Sequence, residues 1–170
     1  MDLIKTLNEY FDTVEESLNS VENINWQGSS NELIGCFQVG NNKYRIECIK
    51  QIGNNYTYTF SYFINDEWSY ELTNLGIGGF SVLSTVIYGM DHLYNKYCPN
   101  SIIFSTIDDS DTRKRLYRSH CDRFCKKNNY KLSNRGDSKN LLFVLFKDNI
   151  SETEKEEIFD SSKKIIEQGK

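Results

Sequence analysis

The tightest constraint on this chain is a change of period on either side of a glycine turn. From Tyr56 to Ile64, Tyr56, Tyr58, Phe60, Tyr62 and Ile64 fall on one side, and Thr57, Thr59 and Ser61 on the other. A period of two marks a β-strand. From Phe80 onward the period is helical: Phe80, Leu83, Ile87, Met90, Tyr94 and Tyr97 share a stripe that Val82, Val86 and Leu93 widen. Between the two lie Gly76, Gly78 and Gly79. Such a turn lets the backbone approach a ligand closely, and the helix after it offers unpaired N–H groups and the positive end of its dipole. That suits a phosphate or pyrophosphate. A tight turn without any ligand has the same spacing.

The rest of the chain arranges itself around this unit. Leu3, Leu7, Tyr10, Phe11, Val14 and Leu18 predict an N-terminal helix, and Asn19 to Asn31 reads as a polar loop. Strands are predicted over Leu33 to Val39, Tyr44 to Cys48, Tyr56 to Ile64 and Trp68 to Thr73, joined by short polar turns into an antiparallel meander. Pro99 ends the helix that starts at Phe80, and Ser101 to Ile107 forms a strand. The intervening helix is long enough for that strand to return parallel to the fourth. Thr112 to Asn128 is a basic helix with Leu116, Tyr117, His120 and Phe124 inward. Strands at Tyr130 to Ser133 and Leu141 to Phe146 follow, and Ser151-Glu152-Thr153-Glu154 opens a last helix in capping-box form. The expected fold is α/β (α+β): a central mixed, mostly antiparallel sheet with helices on both faces. It forms one domain over residues 1–170, with an N-terminal helix and loop at 1–31, a core at 32–147 and a C-terminal helix at 150–170.

Composition narrows the classes. No apolar run approaches the roughly 20 residues that span a bilayer, and Met1-Asp2-Leu3-Ile4-Lys5 does not begin a signal peptide. Five cysteines at scattered positions do not make a secreted disulfide framework, so a cytoplasmic location is expected. Cys121 and Cys125 lie one helical turn apart beside His120, an arrangement read as cysteines on a helix face with no metal. The net charge of −4 is uneven: Arg113 to Lys127 holds seven Lys/Arg against Asp122 alone. That run is a solvated face, a contact for a coenzyme phosphate through Arg113, Lys114 and Arg118, or a surface for nucleic acid or an acidic protein. Nucleic acid ranks last, because no aromatic-interleaved motif accompanies the charge and the chain is acidic overall.

The element order, with its glycine turn after the fourth strand, resembles the GNAT superfamily of N-acyltransferases. That family carries Gln/Arg-x-x-Gly-x-Gly/Ala between its fourth strand and the next helix. Here the frame is Thr73-Asn74-Leu75-Gly76-Ile77-Gly78, with both glycines in place and Thr at the first position. A second family pattern, Asn-x-x-Ala-x-x-Leu-Tyr, falls on Ser110-Asp111-Thr112-Arg113-Lys114-Arg115-Leu116-Tyr117, matching at Leu116 and Tyr117. The chain is also similar to small GNAT-like proteins encoded by bacteriophages, where a Ser/Thr-Arg-x-x-Leu-Tyr helix recurs.

The resemblance implies acetyl-CoA as cofactor and an amine as acceptor, on a small molecule or on a protein. It implies a pyrophosphate held by the backbone of Leu75, Gly76, Ile77, Gly78, Gly79 and Phe80, with Ser110 and Arg113 beside the coenzyme. It also implies Tyr117 as the acid that protonates the leaving thiolate. A tyrosine in the core of an amphipathic helix is the other account of Tyr117. For the base, Glu71 leads and Glu67 follows, each also readable as an ordinary exposed strand acid. Ser105, Thr106 and Asp108 are weaker candidates. An alternative function is a non-catalytic phage accessory protein that binds and modulates a host protein complex, since Thr73, Ser110 and Arg113 depart from the family pattern.

Overall fold

The computed structural model describes residues 21–70, 79–107, 111–136 and 140–168. The predicted N-terminal helix lies outside these residues. Strands β1 (Asn25–Gly28), β2 (Glu32–Val39), β3 (Asn42–Lys50), β4 (Asn55–Ile64) and β5 (Glu67–Ser69) come first. Helix α1 (Gly79–Tyr97), strand β6 (Ser101–Ile107) and helix α2 (Asp111–Asn128) follow. Strands β7 (Tyr130–Gly136) and β8 (Asn140–Lys147) and helix α3 (Glu152–Gln168) complete the order. The eight strands form one sheet, ordered β1-β2-β3-β4-β6-β8-β7, with β5 paired to β4 off that path. Only β4 and β6 run parallel; every other pair is antiparallel.

Local chemistry sets the turns. Asn65 and Asp66 both have positive φ, 50° and 63°, which makes the two-residue link from β4 to β5 the type that matches strand twist. Cys98, at φ 43°, ends α1 by donating its N–H to the Tyr94 carbonyl at 2.8 Å, and Pro99 prevents continuation. The capping box of α3 is present: Ser151 N–H donates to Glu154 Oε2 at 2.9 Å, and Glu154 N–H donates to Ser151 Oγ at 3.2 Å.

Two apolar layers sandwich the sheet. On one face Val82, Val86, Met90 and Leu93 of α1 and Tyr117, Cys121, Phe124 and Cys125 of α2 pack on Ile46, Tyr58, Phe104, Phe143 and Leu145. On the other, Phe159 of α3 packs on Ile103, Leu142, Val144 and Phe146. Helix α1 comes very close to the sheet: a Cβ built on Gly89 would lie 2.6 Å from the Tyr58 hydroxyl and 2.8 Å from Ile46 Cδ1.

Three expectations are corrected. The segment read as a loop at Asn19 to Asn31 contains β1, which pairs with β2 over Asn25↔Cys36 to Gly28↔Leu33. Trp26 makes that possible. It passes over Gly35, where a Cβ would sit 2.7 Å from its ring, and stacks on His92 of α1 at 4.5 Å. One large side chain, not an alternating pattern, anchors the strand.

The fourth predicted strand, Trp68 to Thr73, is the three-residue β5 within the described residues. The parallel partner of Ser101–Ile107 is therefore not that strand but β4, the third of the meander. Within the described residues β5 pairs with Tyr62, Phe63 and Ile64, and β6 takes the Asn55–Tyr58 end of the β4 edge. Finally, β7 runs on to Gly136, three residues past its predicted end.

Candidate functional site

The parallel pair at the centre of the sheet is short. Strands β4 and β6 pair over Asn55↔Ser101, Tyr56↔Ile102, Thr57↔Ile103 and Tyr58↔Phe104, and there the pairing stops. Both strands continue in the same direction, β4 to Ile64 and β6 to Ile107. Beyond Phe104, β6 pairs only with β8 on its far side. Beyond Tyr58, β4 keeps β3 on one side and meets β5 on the other only from Tyr62. Among the described residues, Thr59, Phe60 and Ser61 thus have a strand neighbour on one edge alone. Since strand residues point their N–H and C=O alternately to the two edges, at least one pair of backbone polar groups here faces the gap.

The closed end of the pair is firmly tied. Ser101 Oγ donates to Asn55 Oδ1 at 2.7 Å, and Asn100 N–H donates to the Asn54 carbonyl at 2.6 Å. Asn54 Nδ2 donates to the carbonyls of Tyr97 and Cys98 at 3.2 and 3.1 Å. The buried Tyr58 hydroxyl donates to the Val86 carbonyl, and the Tyr130 hydroxyl to that of Pro99.

Where the strands part, an aromatic trio sits on the helix side. Phe60 and Phe104 stack at 6.2 Å, and Tyr117 of α2 meets them edge-on at 6.2 and 5.3 Å. Tyr117 is only 4% exposed. Of the sequence-predicted catalytic residues, Tyr117 lies within the described residues, and the fold brings it to the point of divergence.

The opposite face at the same level is polar. Arg45 pairs across the strands with Ser61, and Glu47 with Thr59. Arg45 Nη2 lies 3.3 Å from Glu47 Oε1, and its guanidinium covers the Trp68 ring at 4.6 Å. From beyond β4, the Tyr70 hydroxyl donates to Glu47 Oε2 at 2.7 Å, so the Tyr70 side chain reaches across that strand. Burial, then the bond to Glu47, raises the Tyr70 pKa, which keeps the hydroxyl a donor. Ser61 Oγ and Arg45 Nε are buried with no hydrogen-bond partner among the described residues.

The remaining predicted site residues divide by place. Gly79 and Phe80 open α1, whose first turn carries no acid. Arg113 lies in the first turn of α2. Glu71, Leu75, Gly76, Ile77, Gly78, Asp108 and Ser110 lie outside the described residues, as do the side chains of Phe80, Ser105, Thr106 and Arg113. Glu67 is exposed on β5 opposite Ile64, and Arg118 is exposed on α2.

Cys121 and Cys125 are buried on α2. Desolvation raises both thiol pKa values, that of Cys125 to about 12, so neither presents a thiolate. Burial, with Arg123 nearby, lowers His120 to about 4. Among the described residues, no three His, Cys, Asp or Glu side chains gather as a metal-binding group. No helix among them is long and apolar enough to cross a membrane.

Sequence reasoning missed the Arg45–Glu47–Ser61–Trp68–Tyr70 group. Its signal was a cation and an acid two apart on one strand, which points both to the same face. What they meet there depends on cross-strand register. Compared with known proteins, the chain matches no family model and no curated protein.

Proposed function

We propose that the protein is a GNAT-like N-acyltransferase that moves an acetyl group from acetyl-CoA to an amine, on a small molecule or on a protein. One observation carries this: the central parallel strands β4 and β6 part after four paired residues beside a predicted glycine turn. The divergence leaves β4 at Thr59 to Ser61 without a second strand neighbour among the described residues, which suits a narrow, hydrogen-bonding arm such as pantetheine. The coenzyme supplies an activated thioester. The chain's own residues do the rest. Gly76 to Phe80 hold the pyrophosphate at the start of α1, and Ser110 and Arg113 flank the coenzyme from the start of α2. Glu71, directly after Tyr70, takes the proton from the amine. Tyr117, beside Phe60 and Phe104 where the strands part, returns a proton to the thiolate. Cytoplasmic location belongs to the same proposal, since coenzyme A chemistry and five free cysteines both suit a reducing compartment.

Calorimetry with acetyl-CoA and CoA tests it. Binding stabilises the fold by about 2.7 kcal/mol at a hundredfold excess over Kd, and Gly78→Glu abolishes the gain. Tyr117→Phe keeps binding but slows transfer by about 10²-fold or more. No heat and no stabilisation with either ligand overturns the transferase.

A second reading has its own observation. Tyr117 is a well-packed core tyrosine, which needs no chemistry to explain it. In that case the protein is a non-catalytic, phage-type accessory factor that binds a host protein complex. Full biological effect in a Tyr117→Phe variant favours this reading, and strict dependence on acetyl-CoA removes it.

A further inference from the structure

We propose that Arg45 and Ser61 form a subsite for a carbonyl oxygen, the peptide or amide group carried by the acyl acceptor. The name acceptor rests on the transferase reading; the subsite itself rests on the unpaired donors.

Ser61 is completely buried, and its Oγ has no partner among the described residues. Arg45 lies directly across from it on β3, so their side chains leave the same face about 5 Å apart at Cβ. The Nε–H of Arg45 is likewise buried and unpartnered. Buried polar groups are nearly always hydrogen-bonded, because each unsatisfied one opposes folding. Two such donors on facing residues are an unmet demand that one oxygen can satisfy once the Tyr70 side chain moves.

The surroundings choose the oxygen. The guanidinium is already fixed by Glu47 at 3.3 Å and by the Trp68 ring at 4.6 Å, so little freedom remains to be lost when a ligand arrives. Glu47 also balances its charge. A full carboxylate would therefore meet a neutral pair, whereas a carbonyl asks only for the two free donors, Nε–H and Oγ–H. Tyr70 covers the approach: its hydroxyl bonds Glu47 and interacts with the Arg45 side chain, and the residue is 42% exposed. It can move aside without opening the core.

The test uses ¹⁵N-labelled protein and two small amines. N-acetyl-lysine N-methylamide carries a free amine and amide carbonyls; n-butylamine carries the amine alone. The lysine derivative is expected to shift the Arg45 Nε–H resonance, and butylamine is expected to leave it in place. Ser61→Ala and Arg45→Lys should each weaken binding of the lysine derivative by about tenfold, the equivalent of one lost hydrogen bond. Arg45→Lys keeps a cation for Glu47 while removing the planar Nε–H. Ser61→Ala should leave the melting temperature unchanged or slightly higher, because the hydroxyl it removes is unpaired.

An unmoved Nε–H signal, equal binding by Ser61→Ala, or a clear loss of stability in that variant overturns the subsite. The last result would mean that the hydroxyl serves the fold, for instance through a buried water. Coenzyme A calorimetry separates the two proposals. Coenzyme binding without an Arg45 response removes the subsite and leaves the transferase. An Arg45 response without coenzyme binding keeps the carbonyl subsite and removes the transferase.

Discussion

The two ends of strand β4 do opposite things with the same kind of residues. At Asn55–Tyr58 the strand has neighbours on both sides, and hydrogen bonds of Asn54, Tyr58 and Ser101 tie it to the link between α1 and β6, to α1 and to β6. At Thr59–Ser61 it has one neighbour among the described residues, and two buried donors on that stretch of sheet stay unpaired there. Local stability is not spread evenly along an element. It concentrates where partners converge and thins where a surface is kept available. The closed end holds the parted end in position.

The largest effect expected from that contrast is at the closed end. Tyr58→Ala removes a ring that is fully buried under α1 and should destabilise the fold by about 3–5 kcal/mol in urea titration. A loss below 1 kcal/mol would mean that the closed end is not the anchor.

Next is acid. Folded His120 takes up a proton only near pH 4, whereas the unfolded chain does so near 6.5. Stability is therefore complete above about pH 6.5 and falls as the pH drops toward 4, by something on the order of 2 kcal/mol from this group. His92 is shifted in the same direction by burial and adds to the fall. His120→Gln should flatten this limb in denaturation curves taken across the window.

Gly89→Ala follows. Alanine normally favours a helix interior by about 1 kcal/mol over glycine. Here its Cβ would meet the Tyr58 hydroxyl at 2.6 Å, and overpacking should reverse the sign to a net loss of about 1–2 kcal/mol. The smallest effect belongs to the parted end, where Ser61→Ala should change stability by less than about 0.5 kcal/mol. If Ser61→Ala costs as much as Gly89→Ala, the contrast between the ends disappears.

Much of this architecture can be read from residue order. The alternation from Tyr56 to Ile64 marks β4 because each face meets a different environment. The α1 stripe from Leu83 to Tyr94 reflects a helix lying flat on a sheet. The capping box at Ser151 is local chemistry and needs no tertiary context. What escaped depends on register. β1 hangs on Trp26, a single residue whose partner surface is created by Gly35 on the next strand. The parallel partner of β6 differs from the expected one because neighbours in sequence suggest neighbours in the sheet, whereas β6 pairs with the Asn55–Tyr58 end of β4. Tyr117 was legible as a candidate through its helix frame. Arg45 and Ser61 were not, since sixteen positions apart in sequence they become partners only through the β3–β4 hairpin.

The strand order has a consequence for synthesis. β8 lies between β6 and β7, yet it follows both in the chain. While the ribosome is adding residues up to about 139, β6, with its apolar run Ile102-Ile103-Phe104, has no antiparallel partner, and β7 has nothing to pair with. The central sheet is completed by insertion, and insertion comes last. Nascent chains of this protein should depend on being shielded until Asn140–Lys147 has emerged, and chains released before that point should aggregate through the bare edge of β6.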